Sequence, residues 1–439
     1  MFGIAGIRGP YGKEITEELI KGISSAFAIG ESKVAIARDI RQSGKSLKKA
    51  AIEGVVESGG DVFDLGIAPT PTVALASKKY GNGIMITASH NPIDHNGIKL
   101  MKNGRELTPD EGNAVYQRYL MKEKTKREKA KGNHTIGRVE TDESVIREHM
   151  ELIAREVKVE RELKVVVDCN GAGAVITPYL LHSLGCKVIS INTSLEEFFR
   201  PSEPKAENLT ALSAAVRAMK ADIGIAHDAD ADRCIIIDKN GEQIPMDVQL
   251  AMMIEEELSK TSNKNIAATV EASLLIRETV EKNGGKIRIT PVGSTYLALE
   301  IEKGAYFAGE PCGEYIFSRG VYAPDGIMTA AKFAELASKK DLLELRKKYN
   351  HYPIARERYE TKNKFEAMKI IEKEITKEYP EFSDIDGVRV DEEDGWFLVR
   401  PSGTESIIRL TMEYKDKNKL QKKKQEIEKI IKECLTRLT

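Results

Sequence analysis

The sequence predicts an α/β protein of several domains, with three similar α/β units and a smaller α+β tail. Three observations carry this. Short apolar runs of buried-strand length alternate with helix-like stretches, the pattern of parallel pairing. The rhythm restarts twice along the chain. Near residue 349 it gives way to consecutive strands and a long closing helix. A chain of 439 residues, at roughly 100–200 residues per domain, has room for two to four such units.

In order, Val34-Ala35-Ile36-Ala37 reads as a short buried strand, followed by a polar turn over 38–45. A helix follows over 46–58, with Leu47, Ala50, Ala51, Gly54 and Val55 at helical spacing. Gly59-Gly60 stops it, and Val62-Phe63-Asp64-Leu65 is the next strand. Gly83-Ile84-Met85-Ile86-Thr87 is another strand, running straight into a polar loop. The second unit opens with Lys164-Val165-Val166-Val167-Asp168. A glycine turn at 170–173, a helix over 177–184 and the strand 187–191 come next. The third repeats the theme with a strand over 266–270, a helix over 273–282, Gly284-Gly285 and a strand over 286–290. The tail starts after a link containing Pro353. It reads as a helix over 364–378, strands over 387–391, 395–400 and 407–414, and a helix over 418–437. The charged run 122–131 mixes Lys with Glu and reads as a solvated helix or linker.

Composition narrows the function. Lys plus Arg is 67 and Asp plus Glu is 68, a net charge of −1, which lacks the global basic field of a nucleic-acid binder. Hydrophobic content of 41% with 31% charged residues suits a globular chain. The longest apolar runs are too short to span a bilayer, so no membrane partner is expected. The first residues lack a signal peptide's basic start and apolar core, and the expected location is cytoplasmic. Five scattered cysteines show no zinc-type spacing and read as reduced, mostly buried thiols. A homo-oligomer is compatible with this composition, but no motif specifies one.

Five segments carry chemistry. Thr87-Ala88-Ser89-His90-Asn91-Pro92, with Lys99 beyond it, sits at the carboxyl end of a buried strand, where open α/β sheets place ligands. Adjacent side chains diverge on an extended segment, and no nucleophile elbow surrounds Ser89, so Ser89-His90 is not a hydrolase triad. Asp228-Ala229-Asp230-Ala231-Asp232-Arg233 joins two apolar strands. Its carboxylates at alternate positions converge on an extended backbone and repel unless a cation lies between them. An all-oxygen set favours Mg²⁺ over Zn²⁺. In Arg400-Pro401-Ser402-Gly403-Thr404-Glu405 a guanidinium fork, two hydroxyls and a glycine suit a phosphate, although a plain hairpin turn also fits. Gly309-Glu310-Pro311-Cys312-Gly313-Glu314 offers carboxylates to sugar hydroxyls, but alone reads better as an ordinary turn. Gly6-Ile7-Arg8-Gly9 places an arginine between glycines.

Together, and in this order, the five segments resemble the α-D-phosphohexomutase family, and the likeness spans nearly the whole chain. The resemblance implies four domains around a central cleft, one loop from each: about 1–140, 141–238, 239–348 and 349–439. It implies that Ser89 carries the phosphoryl group and that Asp228, Asp230 and Asp232 hold one Mg²⁺, with the Ser89 phosphate as a further ligand. Arg8, Lys99, His90 and Arg233 would surround the transferring phosphate, and Lys99 or His90 would handle the hydroxyl proton. Glu310, Cys312 and Glu314 would face the sugar, and Gly293 and Ser294 would select its face. Arg400, Ser402, Gly403 and Thr404 would grip the non-reacting phosphate.

The implied reaction moves a phosphoryl group between C6 and C1 of an aldohexose phosphate through phosphoserine and a bisphosphorylated sugar, with a hexose bisphosphate as activator. The sequence departs from the family pattern at Ile4, Ala229, Cys312 and Glu314, where Thr, Gly, Ser and His are usual. A carboxylate at Glu314 would pair with an amine, which suits glucosamine 6-phosphate; pairing with another side chain is the alternative. Phosphoglucosamine mutase is therefore the expected activity. Phosphomannomutase/phosphoglucomutase, and a metal-dependent sugar phosphatase using the same serine, are the alternatives. A non-catalytic sensor conflicts with the intact serine, aspartates and Lys99.

Overall fold

The computed structural model describes residues 6–29, 32–125, 136–349, 351–403 and 406–438. Ile4, Thr404, Glu405 and the charged run from 126 onward to 131 lie outside them. The chain forms four domains, each built on one sheet.

The first sheet is mixed. Its core strands are Lys33–Arg38, Asp61–Ile67, Gly81–Ile86 and His95–Lys102. The first lies between the second and third and is parallel to both; the fourth returns antiparallel beside the third. Ile7–Pro10, Arg105–Glu106 and Val139–Thr141 extend this sheet. Strand alternation sends Val34 and Ile36 to one face, against helices Glu17–Phe27 and Gly44–Glu57. Ala35 and Ala37 face the other side, with Val73 and Ala74 of helix Thr70–Tyr80. Burial on both faces explains why the strand is apolar throughout its middle.

The same four-strand order recurs twice. In the second domain the strands are Lys164–Asp168, Lys187–Ile191, Ile223–Ala226 and Ile235–Asp238. In the third they are Asn265–Thr269, Lys286–Thr290, Phe307–Gly309 and Tyr315–Phe317. The connection between third and fourth strands spans 87–94, 227–234 and 310–314 in the three domains. Those connections hold Ser89, the aspartate run, and Glu310 with Glu314. The three similar units of the sequence thus share one topology, and it presents three different loops from one structural position.

The second and third domains share one apolar core, which Val165, Val167, Ile266, Ala268 and Phe307 enter together. The fourth domain is a wholly antiparallel sheet ordered Ile354–Glu360, Ile407–Tyr414, Gly395–Pro401, Val388–Glu392. Helices Lys364–Glu378 and Lys417–Thr436 pack on it, capped by Asn363 and Asp416. It docks on the third domain through a small apolar patch of Val270, Trp396 and Leu398. Arg389 stacks 3.9 Å from the Trp396 ring centre and donates to the Val270 carbonyl. Cys169, Cys186, Cys234 and Cys434 are buried free thiols, and Cys312 is half-buried and free. No helix among the described residues is long and apolar enough to cross a membrane.

Candidate active site

Ser89 stands on the connection after strand Gly81–Ile86 in a left-handed conformation, φ 50°, with 1% of its surface exposed. That backbone is rare for a residue with a Cβ. Its hydroxyl donates to Asp228 Oδ2 at 2.6 Å and lies 3.3 Å from His90 Nδ1. The phosphoserine candidate of the first domain thus touches the aspartate run of the second.

Asp228, Asp230 and Asp232 are all buried, and one oxygen of each lies within 4.8 Å of the others. Among the described residues no other group of three ligand-type side chains does this. Two close approaches cradle the loop. A Cβ on Gly171 would sit 2.3 Å from the Ala229 carbonyl oxygen, and one on Gly326 would sit 2.6 Å from that of Ala231. Asp230 Oδ1 and Asp232 Oδ1 are buried without a hydrogen-bond partner. Orphaned carboxylate oxygens in one pocket are costly, and a hard divalent cation is the group that satisfies them. The residues fit such an ion.

The other Asp230 oxygen accepts from Thr70 Oγ1 at 2.5 Å. Lys99 Nζ lies 2.6 Å from Asp232, 3.0 Å from Asp230 and 3.3 Å from Glu106. Burial and then the neighbouring Asp232 and Asp230 push Asp228 well above the carboxylate range. Burial also pushes Asp230 up, but Lys99, Thr70 and Arg8 outweigh it and hold Asp230 low. Burial opposes charge on Lys99, yet Asp230, Asp232 and Glu106 outweigh that and keep it an ammonium. His90 is driven far below its usual range by Arg233, then burial and Arg8, so it is neutral. Without a phosphoryl group on Ser89, neither Lys99 nor His90 is a ready base.

The sugar-loop candidates join the same assembly. Arg233 holds Glu314 Oε1 at 3.0 Å through Nε and 2.8 Å through Nη2, and its backbone N–H donates to Asp228 at 3.3 Å. Glu314 therefore pairs with a side chain of this protein, the alternative to a substrate amine. Glu310 accepts from the Gly293 N–H at 3.0 Å, linking the two sugar loops, and Ser294 opens helix Ser294–Glu302. Burial, then Glu314 and Glu271, push Glu310 up to about 8. Burial and Glu314 also keep the Cys312 thiol protonated.

Sequence models described as phosphoglucomutase/phosphomannomutase, alpha/beta/alpha domains I, II and III and C-terminal domain, match residues 1–126, 147–241, 246–352 and 354–430. The chain belongs to the phosphoglucomutase/phosphomannomutase family. A Pyrococcus abyssi protein named "Probable phosphoglucosamine mutase" is 39% identical, covering 99% of this chain and 98% of its own. The crystal structure of a phosphoglucomutase/phosphomannomutase family protein from Burkholderia thailandensis superposes with TM-score 0.87 at 26% identity, covering 99% and 97%. An Aspergillus fumigatus N-acetylphosphoglucosamine mutase, described in complex with GlcNAc-6P and magnesium, shares the fold at TM-score 0.60 and 15% identity, covering 99% and 96%. This family member is an enzyme, a phosphohexomutase.

In this mutase Arg400 is buried and faces two carboxylates: Glu271 Oε1 at 3.0 Å, across the domain boundary, and Asp386 Oδ2 at 3.8 Å. The Ser402 carbonyl accepts from Lys364 at 2.5 Å, and Gly403 ends the described part of that loop. Thr404 lies outside the described residues. Arg8 sits in strand Ile7–Pro10, opposite Gly97. Sequence reasoning missed Thr70, Glu106, Glu271, and the pair Asp39 and Arg41. The last pair had a signal: Arg38-Asp39-Ile40-Arg41 leaves a buried strand at the same sheet edge as the serine loop.

Proposed function

We propose that the protein is a cytoplasmic phosphoglucosamine mutase, interconverting glucosamine 6-phosphate and glucosamine 1-phosphate. The observation that carries the chemistry is Ser89 Oγ 2.6 Å from Asp228, beside two buried carboxylate oxygens without partners and the ammonium of Lys99. The name of the relative at 39% identity supports the amino sugar.

Asp228, Asp230, Asp232 and a phosphoryl oxygen on Ser89 would hold Mg²⁺, which when bound neutralises charge on the transferring group. Ser89 carries the phosphoryl group and passes it to the free hydroxyl of the sugar monophosphate, giving a bisphosphorylated sugar. The sugar turns over and returns its other phosphoryl group to Ser89. Added hexose bisphosphate would act as activator by phosphorylating Ser89. Lys99 and Arg8 supply fixed positive charge beside the transfer. His90 is suppressed as a base by Arg233, burial and Arg8. A phosphoryl dianion on the neighbouring serine opposes those cations and restores its basicity, so it takes the sugar proton when the donor is loaded. Glu310, Cys312, Gly293 and Ser294 address the sugar, and Arg400, Ser402, Gly403 and Thr404 hold the phosphate that does not react.

The test is a panel of glucosamine, mannose and glucose phosphates with MgCl₂, comparing kcat/KM. Highest kcat/KM for glucosamine phosphates supports the reading. Preference for mannose or glucose phosphates reassigns the sugar, and net release of inorganic phosphate reassigns the reaction to a phosphatase. Intact mass should show one phosphate, lost in Ser89→Ala together with turnover.

A further inference from the structure

Both backbone polar groups of Ser89 are tied into one closed ring of hydrogen bonds. The Ser89 N–H donates to Thr87 Oγ1 at 2.9 Å, and that hydroxyl donates to Asp39 Oδ2 at 2.7 Å. Asp39 accepts from Arg41 through its backbone N–H at 2.9 Å and Nε at 3.1 Å. Arg41 Nη2 then donates to the Ser89 carbonyl at 2.7 Å, closing the ring. Thr87, Asp39 and Arg41 are each 0% exposed. The guanidinium also takes the carbonyls of Asn91 at 2.9 Å, Pro92 at 2.5 Å and His95 at 3.0 Å. It thus gathers the loop into a cage of four carbonyls. From the second domain, Ser202 Oγ adds a 2.6 Å bond to the same Ser89 carbonyl.

A serine at φ 50° persists only where surrounding bonds over-determine it. Here the donors on its carbonyl and the acceptor for its N–H do that, and none of them reaches Oγ. The buried carboxylate neutralises the buried guanidinium, so the clamp brings no net charge to the transfer site.

We propose that Asp39, Arg41 and Thr87 form a positioning clamp for the phosphoryl carrier, setting the direction of Ser89 Oγ so that its phosphoryl group meets a sugar hydroxyl rather than water. The bonds of the clamp run to one another and to the backbone of the serine loop. The clamp therefore governs the chemical step and the partition between the two acceptors, and leaves substrate affinity alone. In transfer to sugar the phosphorus–Oγ bond breaks, phosphorus bonds to the sugar oxygen, and the hydroxyl proton passes by way of His90, 3.3 Å away, to Ser89 Oγ. In the competing reaction water replaces the sugar hydroxyl and inorganic phosphate leaves. The proposal rests on Ser89 being the carrier.

The experiment uses the full chain with MgCl₂, glucosamine 6-phosphate and glucose 1,6-bisphosphate, in wild type, Thr87→Val, Thr87→Ser and Arg41→Lys. Thr87→Val keeps the side-chain shape and removes the hydroxyl that joins Ser89 to Asp39. Expected are a fall in kcat of about 10-fold or more, KM within about twofold, more phosphate released per mutase turnover, and restoration by Thr87→Ser. Arg41→Lys keeps the charge, loses the fork, and should act in the same direction; if it does not fold, Thr87→Val alone decides. A Thr87→Val kcat within about twofold of wild type overturns the proposal. So does a loss seen in KM alone, or one that Thr87→Ser leaves unrepaired. A wild type that carries no phosphate on Ser89 even after incubation with glucose 1,6-bisphosphate overturns the carrier reading instead, which separates the two failures.

Discussion

Glu271→Gln should tighten substrate binding, because Glu271 pairs with the arginine assigned to the distal phosphate. Its Oε1 lies 3.2 Å from Arg400 Nε and 3.0 Å from Nη2, with side chains 28% and 7% exposed. Coulomb attraction at 3.0 Å is ~1.4 kcal/mol in bulk water and ~5.5 kcal/mol at an effective dielectric of about 20. Desolvation and side-chain ordering consume most of the larger figure, and pairs this open to solvent net about 1 kcal/mol. An incoming phosphate must displace that carboxylate and then remain beside it. Glutamine keeps the shape without the charge, so KM should fall about 5-fold. The distal phosphate does not react, so kcat should stay within about twofold. The assay is initial mutase rate against glucosamine 6-phosphate at low salt and at about 0.5 M KCl, where screening should shrink the difference. An unchanged KM would separate Arg400 from the phosphate, and a raised KM would place Glu271 on the sugar itself.

Glu314→Gln should lower stability by about 1–3 kcal/mol, since it removes the carboxylate that two nitrogens of the nearly buried Arg233 guanidinium hold. The ratios of kcat/KM among the three sugars should move less than twofold; a larger shift would return Glu314 to sugar selection. Glu310 carries a pH signature in the metal-free chain. Its folded value of about 8 exceeds the ordinary 4.5, so between them the folded state holds a proton that the unfolded state has lost. Stability is therefore lost as pH rises through that window, by at most about 1.4 kcal/mol per unit. Urea unfolding at three pH values should show wild type losing ground to Glu310→Gln as pH rises, and parallel curves would refute it. Trp396 is the single tryptophan and lies 1% exposed at the boundary of the third and fourth domains. Saturating glucosamine 6-phosphate should shift its emission if the fourth domain moves during turnover; a constant spectrum would rule that movement out.

The site was legible where chemistry demands a residue type within one loop. Three alternate aspartates between apolar strands pointed to a cation because their repulsion needs one, and Ser89 at a strand's carboxyl end pointed to a ligand edge. The α/β rhythm was legible because Val34, Ile36, Val165 and Val167 are buried by period-two alternation. Helix Gly326–Lys339 escaped because burial reaches almost every residue in it, leaving no polar stripe to set a helical period. The common position of the three site loops escaped for a different reason. The shared connection is eight residues long at 87–94 and 227–234 but five at 310–314, and nothing but apolarity is common to the strands that flank it.

The partners were illegible because they lie far along the chain. Thr70 meets Asp230 across 160 residues, Lys99 meets Asp232 across 133, and Arg233 meets Glu314 across 81. Each loop presents to the others a charge that is costly to bury alone: three aspartates from the second domain, an ammonium from the first, a carboxylate from the third. Burial is tolerable only when the loops assemble, since one domain's ion is another's counter-ion. The net charge of −1 is thus the sum of opposed charges held at domain boundaries, and it masks a site polar enough to bind a phosphate. That same reciprocity makes Glu314 intelligible: beside Arg233 its carboxylate adds to the counter-charge of Asp228 and Asp232 and is held by two nitrogens of one guanidinium.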